Sequence, residues 1–309
     1  MAEPRPTGVL VMAYGTPRSR DDLLDYYTHI RRGSPPTPDL LGDLASRYDA
    51  IGGMSPLAER TEAQRNSIAR ALDTRSPQRF LVTTGHKHAP PFIEDGVRFL
   101  AGEGVEEIVG LVLAPHYSRA SVGQYLERAR AESDGRGLRF DPIESWHLLP
   151  EYVAFLSAAV RAARELVPEK HKVLFSAHSL PERVLDDDPY PAQLRETAEA
   201  VASNLGLGPW ADWTLCWQSA GRTGDAWRGP DINDVLVDLA GTGRADGVVV
   251  CPQAFVADGL EVLYDIDIQA RQTADRLGLQ LTRTRSLNDD RAVMSALADL
   301  IAQRAAVAK

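Results

Sequence analysis

Short apolar runs alternate with longer segments of helical period along almost the whole chain, and this alternation narrows the fold more than any other feature. The runs are Val9–Ala13, Phe80–Thr84, Ile108–Ala114, Leu138–Ile143, Lys172–Ala177, Trp213–Trp217, Gly247–Cys251 and Leu279–Thr284. Each is rich in β-branched or bulky residues and is bounded by Gly, Pro or polar clusters, the pattern of a strand buried within a sheet. Between them the spacing predicts helices near Asp21–Arg31, Pro38–Tyr48, Glu62–Thr74, Phe92–Gly102 and Ser121–Glu132. Further helices are predicted near Glu151–Leu166, Pro191–Asn204, Ile232–Ala240, Glu261–Leu277 and Asp290–Ala305. Alternating β and α of this kind implies parallel sheets covered by helices. Eight such strands suit either one barrel or two four-stranded sheets.

An internal echo favours two sheets. Val9-Leu-Val-Met-Ala-Tyr14-Gly-Thr-Pro17 resembles Val173-Leu-Phe-Ser-Ala-His178-Ser-Leu-Pro181, and Leu111-Val-Leu-Ala-Pro115 resembles Val248-Val-Val-Cys-Pro252. Two similar α/β domains are therefore expected, 1–148 and 149–309, with the last helix able to pack back on the first. Ligands of open α/β sheets sit outside the carboxyl ends of the strands. Tyr14, His178 and the Phe255–Glu261 segment all follow such ends, and a cleft is expected there if the halves face each other.

Composition sets the background. The 309 residues carry 34 Lys+Arg against 43 Asp+Glu, a formal net charge of −9. That excess argues against a general nucleic-acid or anionic-membrane binder. Cys216 and Cys251 are too few to ligate a four-cysteine metal site, and they fit a reducing compartment. The first residues show neither an apolar h-region nor an amphipathic Arg-rich leader. No run approaches the roughly 18 apolar residues of a membrane span. A cytoplasmic location is expected.

No dinucleotide fingerprint, P-loop, zinc-protease motif or serine-hydrolase elbow is present. Gly241-Thr-Gly243 lacks a third glycine and reads as a turn. Among the histidines, His29, His147 and His171 read as solvated or structural. His86 and His88 alternate at a strand end, so their rings could share a face, although two imidazoles alone make a poor metal site. His116 at another strand end has loop packing as its plain explanation. His178 terminates a buried strand and stands out only slightly on local grounds.

Asp258-Gly-Leu-Glu261-Val-Leu-Tyr-Asp265-Ile-Asp267 opens a helix, with Glu261 and Asp265 four apart and hence on one face. Acidic residues in a first turn suit the helix dipole, and the alternative is a carboxylate row that attracts a divalent cation, completed by a histidine. Arg31, Arg32 and Arg47 cluster early, ahead of Gly52-Gly53. They fit a polyanionic ligand, or in part the ordinary basic close of a helix.

Taken together, these segments resemble the ferrochelatase family. The matching pieces are Met12–Pro17, Tyr27–Gly33, Tyr48–Leu57, Leu113–Ser118, Ser176–Glu182 and Phe255–Asp265, spread over about Gly8 to Arg304. The Tyr14 and Ile30-Arg-Arg-Gly33 segments resemble the monoderm bacterial branch, which metallates coproporphyrin III. The resemblance implies a chelatase fold of two Rossmann-like domains, each a four-stranded parallel sheet flanked by helices, with a porphyrin cleft between them. It implies that His178 and Glu261 are catalytic, holding Fe²⁺ and handling the two pyrrole protons. Tyr14 would be the axial ligand of the product iron, and Arg31, Arg47, Tyr48, Ser55 and Tyr125 would fix the porphyrin.

Iron is then a substrate of haem biosynthesis, with no bound organic cofactor and no [2Fe–2S] cluster. Position 269 is Gln where relatives often continue the acidic row, which weighs against an outer metal site. A monomer is the default, with a transient contact to the next haem-pathway enzyme left open. The alternatives are a protoporphyrin IX ferrochelatase, a cobalt- or nickel-inserting chelatase on the same plan, and a non-catalytic porphyrin- or haem-binding protein. The last would have no need of both His178 and Glu261.

Overall fold

The computed structural model of the protein describes residues 5–209, 211–221 and 223–307, with Val307 described by its backbone alone. Among these residues the chain divides into two compact units. One contains 5–115, 119–146 and 288–307, and the other contains 116–118 and 147–287.

The first unit runs β1 (Thr7–Ala13), α1 (Leu23–Ile30), α2 (Pro38–Ala50), α3 (Leu57–Arg75), β2 (Phe80–His86), α4 (Ile93–Gly102), β3 (Glu107–Val112), α5 (Val122–Asp134) and β4 (Arg139–Ile143). Its sheet is parallel in the order β2-β1-β3-β4. The second unit runs α6 (Pro150–Arg164), β5 (His171–His178), α7 (Tyr190–Leu205), β6 (Trp213–Gln218), α8 (Ile232–Gly241), β7 (Gly247–Cys251), a π-helix (Glu261–Ala270) continued by α9 (Arg271–Leu277), and β8 (Gln280–Arg283). Its parallel order is β6-β5-β7-β8. The barrel is excluded, and the eight strands form two sheets of identical connectivity.

Burial explains the order. In β1, β3, β5 and β7 nearly every residue is buried, whereas β2, β4, β6 and β8 alternate or are partly open. A central parallel strand is covered on both faces and must be continuously apolar, while an edge strand need not be. The echoing segments occupy matching places: β1 and β5 are the second strands of their sheets, and β3 and β7 the third. One glycine is required by packing: a Cβ at Gly110 in β3 would lie 2.4 Å from the Phe140 ring.

The final helix, α10 (Arg291–Val307), packs on α3 of the first unit. Arg75 donates to Ser295 Oγ at 2.6 Å and to Asp299 Oδ2 at 3.0 Å.

The structure departs from the expected elements in one respect. The helix predicted over Glu261–Leu277 is α-helical only from Arg271, and its first ten residues form a π-helix. The Arg271 N–H reaches back five residues to the Ile266 carbonyl. The fully inaccessible residues here are the apolar Val262, Ile266, Ala270 and Ala274. A strict four-residue spacing drifts about 40° per step at the α-helical ~100° per residue. The wider i→i+5 turn keeps that stripe on the sheet.

Candidate functional site

In the second unit, β5 delivers His178 to the carboxyl edge of its sheet, where its side chain is half-buried. Its Nδ1 lies 2.6 Å from the Ser179 carbonyl oxygen. A carbonyl can only accept, so Nδ1 carries a proton, and in the neutral ring the lone pair is then on Nε2. An imidazole held in this tautomer is prepared to bind a metal or take a proton through Nε2. Its ring lies 6.3 Å from that of Phe255, centroid to centroid.

The acidic stretch does not behave as one row. Arg283 engages Asp267 bidentately, at 2.7 and 2.9 Å, and also lies 3.6 Å from Asp258. Ser286 donates to Asp258 at 2.6 Å. Asp265 is buried and accepts a hydrogen bond from the Ser219 hydroxyl. Glu261, the first residue of the π-helix, is half-buried, and among the described residues its carboxylate takes no hydrogen bond or ion pair. The expectation of a shared carboxylate face is therefore replaced by a sorting. Asp258, Asp265 and Asp267 are committed within the fold, while the Glu261 carboxylate has no such partner among the described residues. Gln269 is exposed. Among the described residues no three His, Cys, Asp or Glu side chains gather into a metal cage.

His178 and Glu261 are linked through Gln218. The β5–β6 register sets His178 opposite Gln218, whose Nε2 donates to the Glu261 carbonyl at 3.1 Å.

The first unit carries the other candidates. Tyr14 follows β1 and is 37% exposed, enough to offer its phenol outward. Gly15 turns the chain after it with φ +86°, and a Cβ there would meet Ala89 and His86 at 3.0 Å. The Tyr14 ring packs on His88 with centroids 4.6 Å apart, and His88 Nδ1 lies 3.0 Å from His29 Nδ1. His29 in turn stacks on Phe92 at 5.0 Å. Two imidazoles sharing one such bond need one donor and one acceptor. Burial and the neighbouring cation Lys87 push His88 down to about 3.

Sequence reading missed this cluster. It took His29 as solvated or structural and paired His88 with His86. The strand instead ends at His86, which is buried with its Nδ1 unpartnered among the described residues, while the next turn carries His88 to Tyr14. The usable signal was the recurrence of ring residues just after two neighbouring strands.

Lys87 was missed as well. It lies over the Tyr125 ring at 4.9 Å, and burial beside Arg128 and Arg32 lowers it to about 8. Arg128 grips Glu94 with two 2.7 Å bonds and donates a third, also 2.7 Å, to the Lys87 carbonyl.

Of the expected porphyrin anchors, Arg31 is exposed, just past the end of α1, and donates from Nε to the Ser34 carbonyl at 3.2 Å. Arg47 is half-buried in the last turn of α2. Tyr48 is buried with its hydroxyl 3.2 Å from Thr16 Oγ1, and Tyr125 is buried in α5. Ser55 is buried, and its Oγ accepts from the Leu57 N–H at 3.3 Å. Their local roles thus include packing and helix capping, beyond any contact with a ligand.

Two parallel four-stranded sheets of this order define an α/β chelatase fold. Similar solved structures include the sirohydrochlorin chelatase SirB from Bacillus subtilis subspecies spizizenii in complex with cobalt, at TM-score 0.56 and 12% identity over 97% of this chain and 96% of that one. CbiX, the terminal enzyme of sirohaem biosynthesis in denitrifying bacteria, follows at TM-score 0.53 and 16% identity, covering 96% and 98%. The Ferrochelatase family model matches residues 6–305. The coproporphyrin III ferrochelatase of Halalkalibacterium halodurans is 42% identical over 304 residues, 97% of each chain. That of Bacillus subtilis is 40% identical, covering 96% of this chain and 97% of its own. The chain belongs to the ferrochelatase family.

Proposed function

We propose that this chain inserts Fe²⁺ into coproporphyrin III. The observation that carries the reading is a histidine held at Nδ1 by a carbonyl, tied through Gln218 to the residue whose carboxylate is left unpartnered among the described residues. Insertion exchanges one Fe²⁺ for two pyrrole protons, so the site must bind a dication and receive protons. His178 supplies a nitrogen ligand and base, and Glu261 offsets the charge of the metal. Tyr14 offers a phenol oxygen to the product iron. Arg31 and Arg47 hold carboxylates of the substrate, with Lys87 as a further cation nearby in the first unit. Tyr48, Ser55 and Tyr125 complete the porphyrin surface from the first unit.

The names of the family members quoted above support coproporphyrin III over protoporphyrin IX. We further propose a division into domains near residue 148, with the last helix returned to the first domain. We propose no cluster on Cys216 and Cys251, which are buried on β6 and β7, where burial raises both thiols, Cys251 up to about 12. Among the described residues no helix is long and apolar enough to cross a membrane, and we propose a cytoplasmic monomer.

The test is anaerobic Fe²⁺ insertion followed in the visible spectrum with each porphyrin in parallel. Coproporphyrin III is expected to be converted faster. Equal or better turnover of protoporphyrin IX overturns the substrate assignment, and porphyrin binding without any insertion overturns the enzyme.

A further inference from the structure

The metal pair depends on two elements that share no backbone pairing, the end of β5 and the start of the π-helix. A strand end is fixed by its ladder, but the first four N–H groups of a helix have no partner within it, so its first turn gains from an outside tie. Gln218 supplies one through the Glu261 carbonyl. It is 1% exposed, and its carboxamide oxygen accepts from Ser176 Oγ at 2.8 Å, two residues before His178. Its nitrogen donates to the Glu261 carbonyl at 3.1 Å. Its backbone carbonyl accepts from the Ser179 N–H at 2.8 Å, and the Ser179 carbonyl is the group that sets the His178 tautomer. One orientation of the amide satisfies both side-chain bonds, because a hydroxyl meets the oxygen and a carbonyl meets the nitrogen. The next residue, Ser219, adopts φ +60° and binds Asp265 one turn along the π-helix.

We propose that Gln218 is a positioning residue, a buried bracket that fixes the Glu261 carboxylate relative to His178 and thereby sets the affinity of the site for its metal substrate. This rests on the reading of His178 and Glu261 as the metal pair. Gln218 does not touch the metal; it acts through the two groups that do. Loss of such outer partners commonly lowers metal affinity about 10–100-fold.

The test is titration of the porphyrin-free protein with Co²⁺, together with separate KM values for Fe²⁺ and coproporphyrin III. Gln218→Leu keeps the volume and removes both bonds. It is expected to weaken Co²⁺ binding and raise the KM for Fe²⁺ by about tenfold or more, with the KM for coproporphyrin III unchanged. Ser176→Ala frees only the strand side and is expected to move the same quantities in the same direction by less. It is also the deciding variant if Gln218→Leu does not fold.

His178→Ala serves as the control. If it weakens Co²⁺ binding while folded Gln218→Leu, or in its place Ser176→Ala, does not, the bracket is overturned and the metal pair stands. If His178→Ala leaves Co²⁺ binding intact, the metal pair is wrong and the bracket falls with it. A fall in melting temperature with Co²⁺ affinity and both KM values unmoved assigns Gln218 a purely structural role and also overturns the proposal.

Discussion

The second strands of the two sheets, β1 and β5, are built alike and end differently. Both are continuously buried, both lie between the first and third strands of their sheets, and both deliver a ring residue three positions before a proline. Beyond that the environments diverge. Tyr14 emerges among His88, His29, Lys87 and Arg128, a neighbourhood of rings and cations. His178 emerges against the Phe255 ring, opposite Gln218, which in turn binds the Glu261 carbonyl on the π-helix. The scaffold supplies a strand end in each case, and the loops and following helices decide whether the ring found there is a phenol among cations or an imidazole held by a carbonyl. One architecture thus offers two chemistries because a parallel sheet fixes position without fixing composition.

The strongest way to break this comparison is to exchange the weight of the two ends. His178→Ala removes the proposed ligand and base and is expected to lower kcat by about 10²–10⁴-fold, measured by anaerobic iron insertion, with coproporphyrin III still bound by fluorescence quenching. A variant that inserts iron at near wild-type rate would mean that the β5 end is not the reacting one.

The third strands sharpen the same contrast. Beyond each comes a proline and then a buried polar residue, His116 past β3 and Gln253 past β7, and both engage α7: His116 Nε2 lies 3.0 Å from Thr197 Oγ1, and Gln253 donates to the Leu194 carbonyl at 3.1 Å. Only one of the two titrates. Burial, aided by His147, holds His116 well below its usual value. As pH falls below about 6.5 the unfolded chain binds that proton while the folded chain does not, so stability is present above that pH and is lost on acidification. His116→Gln should flatten the profile, reducing the loss of unfolding free energy between pH 7 and pH 5 by up to about 2 kcal/mol in urea titrations. An unchanged profile would show that the native state already protonates this ring.

The smallest effect on rate is expected at the other second strand. Tyr14→Phe keeps the ring contact with His88 and loses only the phenol oxygen. Insertion should stay within about tenfold of wild type, a change of no more than ~1.4 kcal/mol in the barrier, while the Soret band of the product complex shifts. A larger fall in kcat would place Tyr14 in the insertion step itself.

Most of the fold was legible in the chain because its signals are local. Continuous apolar runs such as Lys172–Ala177 and Gly247–Cys251 declare strands covered on both faces, and the echo between Val9–Pro17 and Val173–Pro181 identified equivalent strands. The roles proposed for His178 and Glu261 rest on resemblance, not physics, since nothing in the spacing of residues 178 and 261 brings them together. Gln218 was invisible for the same reason: a buried amide bridging strand and helix looks like any polar residue closing a strand. The His29–His88 contact spans 59 positions and arises from tertiary folding that periodicity does not register. The π-helix did leave a trace, the strict four-residue spacing of Val262, Ile266, Ala270 and Ala274, which an α-helical template absorbs without complaint.

The hydrogen bond from His178 Nδ1 to Ser179 has a further consequence for timing. With one nitrogen occupied, the imidazole has a single vacancy, and on the proposed reading a metal ion and a pyrrole proton would have to use it in turn. Iron held at Nε2 would block the proton, and a proton there would evict the iron. The ring would then work as a turnstile, and the second proton of each turnover would need either a cleared histidine or another exit. The lifetime of the protonated imidazole, beyond its affinity for iron, would set the pace of the cycle.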